Sequence, residues 1–185
     1  IERVHTSSAC FDLNKLVWLN GLHIRRLSPE KLLEFARPFL EKADYNEFIR
    51  AQGDDYLLKV LATVQTKLKK LNELADNCAL FYIFNLASSD LICNPKMRVD
   101  EAIAKKAIEE SIIIFENLAD FNAESIKSAL VAKIAELQWS NGQMLWPIRA
   151  ALSGAEFSPG AFEIAAVLGK AESVKRLKQV LNSFA

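Results

Sequence analysis

Apolar residues recur three and four positions apart along most of this chain, the spacing of helices that bury one face. The first such segment opens at Asp12, a capping-type residue, places Leu13, Leu16 and Val17 on one side, and is expected to stop at Asn20-Gly21. A second opens at Ser28-Pro29-Glu30, with a Ser cap, Pro at the first helical position and an acid in the first turn. Leu32, Leu33, Phe35, Ala36 and Phe39 follow at helical spacing, and Pro38 is expected to bend or end the helix. From Asp54-Asp55 onward, Leu57, Val60, Leu61, Val64, Leu68, Leu71 and Leu74 form one long stripe, opposite Lys59, Lys67, Lys69 and Lys70. Residues 76–84 are largely apolar, and periodicity leaves buried helix and short strand both open.

Beyond the Asn94-Pro95 loop, Ala102, Ile103, Ala107, Ile108, Ile112, Phe115 and Leu118 predict a helix over 99–119. Ile126, Ala129, Leu130, Ile134 and Leu137 predict another over 125–139. The next starts at Asn141, carries Trp146-Pro147 in its interior and stops at Ser153-Gly154. Ser158-Pro159-Gly160 then feeds a helix over 162–168 closed by Gly169-Lys170. A last helix over 172–184 sets Val174, Leu177, Val180 and Leu181 on one face and Lys175, Arg176 and Lys178 elsewhere. Neither Asn-Gly pair lies between alternating segments, so no hairpin is predicted. The expected fold class is all-α, a helical bundle of two subdomains divided near Asn94-Pro95.

Composition narrows the function classes. The chain has 185 residues, 51% apolar, with 23 basic and 23 acidic side chains. That is enough apolar content to fold around a core, and the absence of net charge excludes a globally basic nucleic-acid coat while permitting a local basic face. No apolar run approaches the roughly 18–20 residues of a membrane-spanning helix, so no membrane partner is expected. Cys10, Cys78 and Cys93 are odd in number and lack CxxC spacing; with two histidines they assemble neither a disulfide framework nor a metal site. A reducing, cytoplasmic location is expected. The chain opens at Ile1-Glu2-Arg3 without an initiator Met or signal-peptide pattern, as part of a longer protein would.

Catalysis finds little support in the residues. His5 lies near the chain start, and His23 stands between apolar neighbours and Arg25-Arg26, so neither is bracketed as a base for a nucleophile. Phosphate-cradling glycine loops are absent, and Asp54-Asp55 and Glu109-Glu110 read as caps and solvated faces. The basic features are more suggestive. Arg25 and Arg26 suit a phosphate backbone or a solvated helix end, and Lys67-Leu68-Lys69-Lys70 suits either an RNA contact or a plain surface. Trp146-Pro147-Ile148-Arg149 is less ordinary: proline inside a helix costs about 3 kcal/mol, and Arg149 is then aimed by a fixed backbone.

Residues 141–154, with that Trp-Pro-x-Arg element, then Ser158-Pro159-Gly160-Ala161-Phe162-Glu163, Leu168-Gly169-Lys170 and Arg176-Leu177, resemble the C-terminal signature of bacterial-type glutamyl-tRNA synthetases. Glu2-Arg3-Val4 and residues 11–21 look like the segment after that family's signature lysine loop, and residues 64–71 and 81–84 fall in the expected order. The resemblance covers essentially the whole chain. It implies the end of a stem-contact region over 1–27 and two helical anticodon-binding subdomains over 28–95 and 96–185. It also implies that the chain binds the anticodon arm of glutamate tRNA, as a monomer and without a cofactor of its own. The ATP-binding HIGH-type and KMSKS-type motifs are absent, so ATP, Mg and aminoacylation belong to a catalytic domain outside this sequence.

Residue by residue, the family's arginine that helps read the third anticodon base, on a long middle helix, matches Lys67 here. A lysine lacks the planar fork of arginine, which puts discrimination between glutamate and glutamine anticodons in doubt. The residues that read the first two anticodon bases match Arg149 and Ser158, Pro159, Gly160 and Ala161, the last smaller than the family's usual apolar contact. Arg25, Arg26, Lys69 and Lys70 are the expected backbone contacts. Two other readings stand beside this one: a homologue that serves both glutamate and glutamine tRNAs, and a non-catalytic helical scaffold whose basic faces are solvent decoration.

Overall fold

A computed structural model describes residues 12–184. His5, Cys10, the Glu2-Arg3-Val4 segment and Phe11 lie outside the described residues. Among the described residues the secondary structure is helical, with one isolated antiparallel bridge between Asn94 and Val99. The helices are α1 (Leu13–Arg25), α2 (Pro29–Leu40), α3 (Asn46–Gln52), α4 (Asp54–Val64), α5 (Leu74–Tyr82), α6 (Ser89–Ile92), α7 (Glu101–Asn117), α8 (Ala123–Leu137), α9 (Asn141–Ser153) and α10 (Ala161–Asn182). No helix among them is long and apolar enough to cross a membrane.

The caps lie where short polar side chains can reach orphan backbone donors. Asp12 accepts from the Asn14 and Lys15 amides, Ser28 from Lys31 and Asn122 from Ser125. At α9, Ser140 Oγ accepts from the Gln143 amide while the Gln143 side chain accepts from the Ser140 amide, a reciprocal pair. The apolar segment left open between helix and strand is α5, with Leu74, Cys78, Leu80 and Phe81 buried. Burial pushes the Cys78 thiol up to about 12, so it stays protonated.

Two expectations about helix ends are corrected. Helix α1 does not stop at Asn20-Gly21 but runs to Arg25. The glycine serves close approach: a Cβ there would stand 3.2 Å from the Leu68 carbonyl oxygen and 3.4 Å from Lys69 Cα, while Asn20 Nδ2 donates to the Lys69 carbonyl at 2.6 Å. The expected face of α1 is also not buried: Leu13 is 65% exposed and Leu16 49%, and Gly21 and Ile24 make the inner surface.

The long stripe beginning at Asp54-Asp55 is not one helix. It breaks after Val64 into a 3-10 turn (Gln65–Lys67), an extended Leu68 and a second turn (Leu71–Glu73) before α5 begins. Leu68 and Leu74 remain fully buried, so the apolar spacing survives a break that the helix does not. The freed backbone groups find partners nearby. Glu73 Oε2 accepts from the Lys69 and Lys70 amides, and Gln65 Nε2 donates to the Ile24 and Leu27 carbonyls.

The second half packs α7, α8 and α9 around α10, whose first eight residues are followed by a break at Gly169, held at φ +78°. Helix α10 also touches α4 and α5, and one side chain anchors that contact. Arg176, expected away from the buried face, is only 2% exposed. Its Nη1 donates to the carbonyls of Leu80 on α5 (2.7 Å) and Leu152 on α9 (2.9 Å), and its Nε donates to Glu172 at 2.9 Å. The guanidinium also lies over the Phe84 ring at 4.9 Å. Burial raises the pKa of the Glu172 carboxyl, but the hydrogen bonds and charges of Arg176 and Lys175 outweigh it and hold the group below its ordinary value.

Arg176→Ala therefore leaves two buried carbonyls without a donor, and about 3 kcal/mol of stability is expected to be lost in urea unfolding followed by circular dichroism. A loss within about 0.5 kcal/mol, the range of an ordinary surface substitution, would contradict the buried clamp.

Candidate nucleic-acid interface

A cleft of about 640 Å³ opens between the 67–77 segment of the first half and the 146–160 segment of the second. Lys67, Lys69, Glu73 and Asn77 line one wall; Trp146, Arg149 and residues 156–160 line the other. Each wall is fixed by a local feature of the sequence. The break after Val64 turns Lys67 and Lys69 toward the cleft, and Glu73, by accepting the Lys69 and Lys70 amides, holds that turn. Asn77 Nδ2 in turn donates to the Glu73 carbonyl at 2.8 Å.

On the opposite wall, Pro147 sits buried inside α9 and cannot donate a helix hydrogen bond; the helix nonetheless continues to Ser153. Trp146 Nε1 donates to the Leu91 carbonyl at 3.0 Å, which fixes its ring. The Arg149 guanidinium lies 4.4 Å from that ring's centroid. From there Nη1 donates to the Glu156 carbonyl at 2.9 Å and to Ser158 Oγ at 2.8 Å. Half-burial lowers the Arg149 pKa, partly offset by the Glu156 carboxylate, and the group remains a cation throughout the working range of the protein.

The loop that Arg149 grips begins at Gly154, the C-terminal cap of α9, at φ +63°. A Cβ at that position would stand 2.0 Å from the Asn85 carbonyl oxygen, so both the conformation and the space require glycine. Ser158 Oγ accepts from Arg149 and donates to the Pro159 carbonyl at 3.2 Å. Lys67 Nζ donates to the Ser158 carbonyl across the cleft, so two residues 91 positions apart in sequence meet on one backbone carbonyl.

The structure thus brings Lys67, Arg149, Ser158, Pro159 and Gly160 together, with Lys69 at the same opening. Ala161 is buried and lines a separate hollow of about 420 Å³, which Trp146, Arg149 and Gly160 also line. Arg25, Arg26 and Lys70 are exposed and do not line the cleft. Lys67 belongs to a 3-10 turn rather than to a long middle helix, which corrects the expected setting of that residue. Glu73, Asn77, Glu156 and Phe157 were not expected in the site. A carboxylate three residues after Lys70 carries no sequence signal of its capping role, and nothing along the chain marks Phe157 as exposed.

Chemically the cleft offers three cations, Lys67, Lys69 and Arg149, against two carboxylates, Glu73 and Glu156. That excess of one positive charge suits bases presented edge-on, with donors and acceptors of both kinds, better than a run of phosphates. Among the described residues no group of three or more His, Cys, Asp and Glu lies together as a metal site needs.

The chain is similar to known proteins along almost its whole length. Residues 31–181 match the family described as the anticodon binding domain. The chain is 35% identical over 178 residues to the glutamate–tRNA ligase of Clostridium tetani, and 34% identical over 181 residues to that of Lachnoclostridium phytofermentans. These matches cover 96% and 97% of the chain but 35% of each relative, so the chain spans about a third of their length. A crystal structure of the glutamate tRNA ligase from Elizabethkingia meningosepticum shares the fold, with a TM-score of 0.71 at 20% identity over 99% of this chain and 35% of that one.

Because the turn at Gly154 sets the start of the gripped loop, Gly154→Ala and Gly154→Asn are both expected to cost about 2 kcal/mol or more in urea unfolding. Asn ordinarily tolerates this conformation, so a mild Gly154→Asn would contradict the clash with Asn85.

Proposed function

The chain belongs to the anticodon binding domain family, and on that premise we propose that it binds the anticodon arm of glutamate tRNA as part of a glutamate–tRNA ligase. One observation carries the proposal: Lys67, Arg149 and the Ser158-Pro159-Gly160 loop, far apart in sequence, converge on a single cleft. Single-stranded loop bases are splayed out and read by hydrogen bonds to their edges, and the cleft holds fixed donors and acceptors for that purpose. Arg149 and Ser158 read base edges in this account, and Lys67 and Lys69 add charge at the opening. Arg25, Arg26 and Lys70 remain candidates for the sugar-phosphate backbone outside it. Ala161 serves from the neighbouring hollow, where a base edge threaded past Gly160 would meet it. ATP, Mg and the ligation of glutamate belong to the rest of a longer protein, and we assign this chain no cofactor. A monomer in the cytoplasm accompanies this reading.

The testing experiment is fluorescence anisotropy with a glutamate-type anticodon stem-loop and the same hairpin with its loop scrambled, at two salt concentrations. The authentic loop is expected to bind more tightly, and the preference to persist at higher salt. With Lys67, Lys69, Arg25, Arg26 and Lys70 available to phosphates, the slope of log K against log salt is expected to be no steeper than about −3.5. Arg149→Ala is expected to weaken binding to the authentic loop by about tenfold or more. Equal binding of both hairpins that vanishes with salt would overturn base reading and favour a scaffold role.

A second reading concerns specificity, and Lys67 favours it. Lysine is a point charge without a bidentate fork, and here its ammonium is engaged by the Ser158 carbonyl. We expect stem-loops differing only at the third anticodon base to bind within about threefold of each other, and Lys67→Arg to widen the gap. A large gap already present with Lys67 would mean that another group discriminates at that base.

A further inference from the structure

The cleft has two aromatic side chains on its lining, and they are in opposite states. Trp146 is used: its indole nitrogen is bonded to Leu91 and Arg149 lies over its ring. Phe157 is free. It is 85% exposed, the most exposed large apolar side chain among the described residues.

That exposure is not a sign of a loose loop tip. The chain is held on either side of Phe157: Arg149 donates to the Glu156 carbonyl before it and to the Ser158 hydroxyl after it, and Lys67 donates to the Ser158 carbonyl. Ser153 Oγ further bonds the Ala155 amide and carbonyl at the loop's start. Ser158 and Pro159 are buried immediately after it. A phenyl ring fixed at its base, bare on its faces and set at the mouth of a cleft with three cations has the properties of a base-stacking platform.

The geometry points to Phe157 as a stacking residue for one unpaired base of the bound RNA loop. This rests on the reading of the cleft as an RNA site. Every base presents a π face, so such a platform adds affinity without selecting the base that lies on it. Selection stays with the donors and acceptors of Arg149 and Ser158 deeper in the cleft. A ring with no charge leaves the counterion balance untouched, which separates its contribution from that of Lys67 and Lys69.

The test uses the 185-residue chain and the authentic anticodon stem-loop, together with variants in which one loop nucleotide at a time is made abasic. Phe157→Ala is expected to weaken binding of the intact loop by about tenfold, Phe157→Trp to restore it, and neither to change the salt slope or the unfolding midpoint. One abasic position is expected to cost the unaltered chain about as much as Phe157→Ala does, and to cost Phe157→Ala nothing further. Undiminished binding by Phe157→Ala while the authentic loop is still preferred over the scrambled one would overturn the stacking role and leave the base-reading cleft standing. Loss of binding that Phe157→Trp does not restore would likewise overturn it. If the unaltered chain fails to prefer the authentic loop, the base-reading account falls, and the stacking role falls with it.

Discussion

The cleft depends on one buried cation. Arg176 reaches from α10 to a carbonyl of α5 and a carbonyl of α9, and those two helices carry the opposite walls. Asn77 and the start of α5 lie on one side; Trp146 and Arg149 lie on the other. A guanidinium out of water is tolerable only when its donors are satisfied, and here Glu172, two main-chain oxygens and the face of Phe84 surround it. The spacing of the walls is therefore set by a hydrogen-bond geometry rather than by apolar contact alone.

A second arginine repeats the device at the surface. Arg149 is stacked on an indole that is itself pinned, and uses its Nη1 donors on a loop carbonyl and a loop hydroxyl. The loop reaches its place because Gly154 can turn where no side chain fits. Under the proposed function, binding meets a loop already ordered, which limits the conformational cost of capturing a flexible RNA loop. Lys67 completes the arrangement by bonding the same loop from the other half of the chain. The Lys67 ammonium keeps two further N–H donors, so an incoming base edge can bond it while the Ser158 carbonyl stays in place.

Much of this was legible in the sequence, and the parts that were not share a cause. Helices α2, α7, α8 and α9 follow from caps and apolar spacing, and Trp146-Pro147-Ile148-Arg149 stood out because proline in a helix needs a reason. The break after Val64 was hidden because Leu68 and Leu74 stay buried across it, so the helical period persists while the backbone leaves the helix. Asn20-Gly21 has the local form of a stop signal, whereas the glycine is a notch that admits the 68–69 backbone, a tertiary demand with no local trace. Arg176 reads as a surface residue because charge is a good proxy for exposure; only the carbonyls of distant Leu80 and Leu152 invert that rule. Phe157 has the converse history, an apolar residue whose exposure no pattern along the chain could reveal.

The central claim is that one cleft, joining residues 67–77 to residues 146–160, receives the loop bases. Titrating the nitrogen-15-labelled chain with the authentic anticodon stem-loop tests it most directly, through amide, arginine side-chain and indole shifts. The account predicts that the largest changes fall together on Lys67, Lys69, the Arg149 guanidinium, the Trp146 indole and the Glu156–Gly160 loop, and are absent with the scrambled loop. Changes confined to Arg25, Arg26 and Lys70, or the same for both hairpins, would contradict it.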